Sequence, residues 1–137
     1  MKKETVISFL VFCMLAIVIV ISMKLTYNNY QTSKQMFNGK VLCSEIMNAS
    51  IKYYKENGIY LQNDKVSVND EYPIDARTNP YFSVFSTYPV DEDTQGISVF
   101  GTVNQKDYEM KVVFDKDDDV KSIRNINIQV IKHKKQN

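Results

Sequence analysis

The best candidate for ligand chemistry in the sequence is Asp115-Lys116-Asp117-Asp118-Asp119. Carboxylates at Asp115, Asp117 and Asp119 stand at alternate positions, as in the first half of a calcium loop, where such side chains converge on one ion. The rest of the loop is missing. Val120 holds the place of the glycine that makes the sharp turn, and Ile126 that of the bidentate glutamate. The pattern therefore favours a solvated hairpin turn over an ion site, with Asp115, Asp117 and Asp119 as the candidate metal ligands. Asp91-Glu92-Asp93 is a second acidic turn. Catalysis has no comparable candidate. The single histidine, His133, falls in a basic tail with Lys132, Lys134 and Lys135, and neither Cys13 nor Cys43 has a base beside it. Nucleophile–base chemistry needs both partners, and two cysteines complete a zinc site only with help from Asp or Glu. No enzyme activity and no cofactor are expected.

The cysteines also lack each other. On one continuous helix Cys13 and Cys43 lie about 45 Å apart at ~1.5 Å per residue, so they cannot bond within the chain. Each reads as a small buried apolar residue. Cys43 could pair only with another chain.

The elements that hold these residues begin with an unbroken apolar run, Val6–Met23, which carries no charge and only two serines. As helix it spans about 27 Å, close to the hydrocarbon thickness of a bilayer. A chain of 137 residues cannot bury such a segment on all sides. The expectation is one membrane span over residues 1–23, with a single domain over 24–137. Met1–Thr5 hold Lys2, Lys3 and the terminal amine against Glu4, which favours a cytoplasmic N-terminus. Lys24 on the far flank argues the other way, but a five-residue head is easier to retain inside than the rest of the chain. A cleaved signal has a shorter core and a small-x-small exit, which Ile21-Ser22-Met23-Lys24 does not supply. A lipoprotein cut before Cys13 is disfavoured by bulky Phe12. The segment is expected to be retained in a bacterial inner membrane, with the domain on the extracytoplasmic side.

The net charge of +1 gives no field to draw nucleic acid, and none is expected as a partner. The basic tail reads as a solvated end.

Beyond the span, residues 24–57 contain no proline and one glycine, Gly39. Leu42, Ile46, Ala49 and Tyr53 recur at helical spacing, and Met47, Ile51 and Tyr54 widen the stripe. Asn57-Gly58 supplies a stop, because glycine takes the left-handed position after a helix without a Cβ clash. One long helix from about Thr5 to Asn57 is predicted, with Asn38-Gly39 its weakest point. Residues 58–96 read as a loop with at most a short strand. Its aromatics, Tyr60, Tyr72, Tyr81, Phe82, Phe85 and Tyr88, are expected to pack on the domain. From 97 to 131 the apolar period becomes two. Strands are predicted at Ile97–Val103, Tyr108–Phe114 and Val120–Val130, the last with a bulge between Ile123 and Ile126. Polar turns fall at Asn104–Asp107 and Asp115–Asp119. The fold class is α+β: a long N-terminal helix whose amphipathic half covers a small antiparallel sheet.

In this arrangement the chain resembles the type IV pilin and pseudopilin family. Tyr27-Asn28-Asn29-Tyr30 and Tyr53-Tyr54-Lys55-Glu56-Asn57-Gly58-Ile59-Tyr60 match, in spacing, the Tyr-x-x-Tyr and Tyr-Tyr-x-x-Asn-Gly-x-Tyr that bound the family's helix. Asp75-Ala76-Arg77-Thr78-Asn79-Pro80-Tyr81 is loosely similar to the Asn-Pro-Tyr element of secretion pseudopilins. The resemblance covers about residues 1–60 and the sheet in outline. The cleavage signal departs from the family: Lys3 replaces the glycine before the cut, Glu4 the phenylalanine and Ser8 the glutamate. Losing the cut site and the buried carboxylate together is self-consistent, since without a new amine the acid has no partner in the bilayer. The resemblance implies a subunit of a pilus, type II secretion or DNA-uptake assembly, not processed in the usual way. Its partners would be the lipid bilayer and other pilin-like subunits. It also implies that calcium in the loop region occurs in some relatives. The alternative is a membrane-tethered binding module, cystatin-like or PAS-like, with a pocket between helix and sheet. Continuity of the helix through Gly39 separates the two.

Overall fold

The computed structural model describes residues 2–60 and 81–134, less the side chains of 83–85. With no proline to remove a backbone donor, α1 runs unbroken over Lys3–Asn57, 55 residues. It ends as the sequence predicts. Gly58 takes φ 70° and donates its amide to Tyr54 O at 2.8 Å, and Asn57 Nδ2 bonds Tyr53 O at 3.0 Å. The chain divides into two compact units, Met1–Lys34 and Gln35–Asn137. The helix from Lys24 to Lys34 has almost no buried surface.

The first unit is the exposed helix alone. The second is an α+β unit in which α1 packs on a four-stranded antiparallel sheet of order β1-β2-β3-β4. The strands are β1 Phe82–Pro89, β2 Thr94–Val103, β3 Lys106–Asp115 and β4 Gln129–His133. The expected loop over residues 58–96 is corrected at its C-terminal end, where β1 pairs with most of β2 from Phe82↔Gly101 to Pro89↔Gln95, and β2 itself begins at Thr94. Polar Ser86 and Thr87 hid this strand, since a pairing partner rather than apolar alternation makes it. The rest of that loop, with Tyr72 and the 75–80 element, lies outside the described residues.

β2 and β3 form a hairpin closed by Asn104 and Gln105, both at positive φ (49° and 61°). Two such residues are what a two-residue type I′ turn requires. The turn is therefore tighter than Asn104–Asp107, and β3 starts at Lys106. The third predicted strand is also corrected. Residues 120–128 are irregular around a 3-10 turn at Ile123–Asn125, and pairing with β3 begins only at Gln129. Ile126 and Ile128 still pack against the core, so their alternation reports burial without a ladder.

The core joins Leu42, Cys43, Ile46, Met47 and Ile51 of α1 to Phe82, Ile97, Val99, Val103, Met110, Val112 and Phe114 of the sheet. Ala49 and Tyr53 sit at its edge, so the buried arc is centred one position round from the predicted stripe. Gly39 is not a kink. A Cβ there would stand 2.7 Å from the Phe82 ring and 2.8 Å from Met110 Cε. Its lack of a side chain is what lets helix and sheet approach.

Candidate functional site

Within the first unit, the apolar run is exposed along its length: Ile7, Phe12, Met14, Val20 and Met23 are all more than half exposed. No part of its most apolar stretch is buried inside the chain. A core helix of a soluble domain would be covered, so this helix has the length, composition and exposure of a membrane span. Cys13, a small side chain, is less exposed than the residues beside it. Glu4 lies in the first helical turn, where a carboxylate meets the positive end of the helix dipole.

In the second unit, the acidic turn is an ion-paired brace. Asp118 Oδ2 accepts the Asp115 amide at 3.0 Å, and Asp118 Oδ1 takes Lys121 Nζ at 2.5 Å. The lysine holds the Asp118 carboxyl below the usual range. Asp119 pairs with Lys55 of α1 at 3.0 Å. Asp115 accepts from Thr94 Oγ1 at 3.3 Å, and Asp117 is exposed. Asp115 and Asp119 are thus turned to different partners, Thr94 and Lys55. Among the described residues no three of His, Cys, Asp and Glu come together as a group that could hold a metal.

The other acidic turn is tied to the same corner. Lys116 pairs with the Asp93 carboxylate and donates its amide to Asp93 O at 2.9 Å. Tyr60 Oη also bonds Asp93 O, at 2.8 Å, while its ring lies against Tyr54 with centroids 4.7 Å apart. The Asn-Gly stop thus sends the chain into a contact that ties the helix end to the β1–β2 turn.

Cys43 is fully buried, and burial pushes its thiol up to about 12. Cys43 is thus the small buried apolar residue that the sequence suggests, and a thiol so covered is poorly placed for exchange with another chain.

One polar cluster has no counterpart in the sequence reading. His133 is not in a tail but in β4, and its Nε2 lies 3.0 Å from Glu109 Oε2 of β3. Glu109 Oε1 is 3.3 Å from Lys111 Nζ. The carboxylate is buried, on the sheet face opposite α1. Burial pushes its pKa up, but bonds from Ser98, His133 and Lys111 outweigh that and leave it below the usual glutamate range. Glu109 alternates with Met110 and Val112 as any surface position would. Only the pairing of β3 with β4 brings His133 to it.

Next to this cluster, on the same outer face, Lys111, Val113, Asn127 and Gln129 line an open groove of about 470 Å³. Core side chains of α1 and of the sheet belong to one buried cluster. No family model, curated protein or solved structure matches the chain.

Proposed function

We propose that the chain is a non-enzymatic, single-pass membrane protein: a pilin-like or pseudopilin-like structural subunit of a pilus, type II secretion or DNA-uptake assembly. Its N-terminus is cytoplasmic and its α+β unit lies outside the inner membrane. The observation that supports this most is the continuity of α1 from the apolar run through Gly39 into the core. In the tethered-module alternative the helix would end near the membrane, whereas α1 continues to Asn57. A filament-type subunit uses one helix both to pack among other spans and to carry its domain. Lys3 and Ser8, at the positions of the family's glycine and glutamate, go with a subunit that is not processed in the usual way.

The test is photocrosslinking in cells from a benzoylphenylalanine placed at Val18, with mass spectrometry of the adducts. Other single-span, pilin-like proteins are expected. Adducts to lipid alone would sink the assembly reading. The side of the membrane is tested separately with Asp117→Cys and a membrane-impermeant maleimide on intact cells. Labelling is expected at that exposed turn, and Cys43 does not interfere because it is fully buried.

A further inference from the structure

We propose that the face of α1 carrying Lys24, Tyr27, Tyr30 and Lys34 is an interfacial anchor that docks on anionic phospholipid headgroups. The proposal rests on reading Val6–Met23 as a membrane span. At ~100° per residue these four positions fall within about 120° of the helix circumference. Tyr27 is 62% and Tyr30 63% exposed, and Lys24 and Lys34 are exposed beside them. The opposite side at the same level carries Leu25, Asn29 and Thr32. Thr32 turns its hydroxyl onto Asn28 O at 2.9 Å, back along the helix.

Directly beyond an apolar run, tyrosine rings rest at headgroup level with the hydroxyl in water. The Lys24 stem lies along the apolar surface and lifts its ammonium to the phosphates, while Lys34, about 15 Å further along the helix at ~1.5 Å per residue, adds a longer-range attraction to the same surface. Charge selects the lipid. Between Glu4 and Glu45 the sequence has no acidic residue, while Lys24, Lys34 and Lys40 fall inside that interval. The stretch therefore has no internal counter-charge for its lysines. A second copy of this face would bring lysine against lysine, so self-docking here is disfavoured. Anionic headgroups supply the missing charge without a specific fit.

The chain has no tryptophan, so Tyr27→Trp and Asn29→Trp each give a single emitter. Each full-length variant is placed in phosphatidylcholine nanodiscs containing brominated phosphatidylglycerol or, in parallel, brominated phosphatidylcholine. The phosphatidylglycerol is expected to quench the emitter at 27 more strongly, with a local enrichment of about fivefold per lysine near the surface. The excess should vanish in Lys24→Gln/Lys34→Gln, and the emitter at 29, across the helix, should show a smaller preference than the one at 27. Equal quenching by the two lipids at 27 would overturn the lipid choice. An emitter at 27 quenched by neither would mean that protein covers the face. A chain that fails to enter the discs at all, seen by size-exclusion chromatography, would instead overturn the span itself.

Discussion

Asn48 of α1 holds both backbone groups of Lys121, which lies 73 residues away. Asn48 Nδ2 donates to Lys121 O at 3.1 Å, and Lys121 N donates to Asn48 Oδ1 at 3.2 Å. This one side chain supplies at Lys121 the two partners that a strand ladder would, and with the packing of Ile126 and Ile128 it holds this irregular segment on the domain. Asn48→Leu leaves a part-buried amide and carbonyl without partners, at about 1–3 kcal/mol. A lower Tm is expected for the full chain in detergent, with faster hydrogen exchange at Lys121. Unchanged exchange there would show that the clamp holds nothing.

Gly39→Ala should destabilise the second unit although alanine favours helix. The propensity gain is at most ~1 kcal/mol, whereas a methyl forced against a buried ring costs about 1–3 kcal/mol. Phe82→Leu removes part of the ring, so the double variant should be more stable than the sum of the two losses. Urea midpoints for the four proteins of the cycle decide this; strict additivity would mean that Phe82 is not what limits position 39.

Glu109 makes stability depend on acid. Its folded pKa lies below the usual glutamate value, so its contribution is fully present above that value. It is lost as the pH falls through the depressed folded pKa. Against wild type, Glu109→Gln should be destabilised at neutral pH, and the gap should close on acidification as both chains carry a neutral group there. Denaturant midpoints measured from pH 7 down to pH 3 give the comparison. A gap that stays constant would place the effect in packing rather than charge.

Calcium should not bind the acidic turn. Asp119 is already paired with Lys55, and Asp118 with Lys121. The wild type should melt at the same temperature with and without millimolar calcium, and Asp117→Asn should change stability by less than ~0.5 kcal/mol, as at other exposed sites. A rise of several degrees with calcium, abolished in Asp117→Asn, would make Asp115, Asp117 and Asp119 ion ligands after all.

The N-terminus should remain uncut. With Lys3 where the peptidase of the pilin family that the chain resembles expects glycine, mass spectrometry of the membrane fraction should find Met1 or Lys2 first. Finding Glu4 at the terminus would restore ordinary processing.

The sequence alone was enough for the parts of this protein that depend on local rules. The apolar run, the absence of proline from residues 5–57 and the Asn57-Gly58 stop define α1, because helix formation and its termination are decided within a few residues. Alternation at Ile97–Val103 and Tyr108–Phe114 defined the central hairpin for the same reason. Tertiary structure decided what depends on partners far along the chain. β1 became a strand by pairing with β2, not by its own pattern. Residues 120–128 make a 3-10 turn rather than a ladder, with the backbone of Lys121 bonded to Asn48 instead. His133 left the tail once β4 lined up on β3 and set it against Glu109. Gly39 looked like a weak point because a single sequence shows a missing side chain but not the Phe82 ring that fills its place.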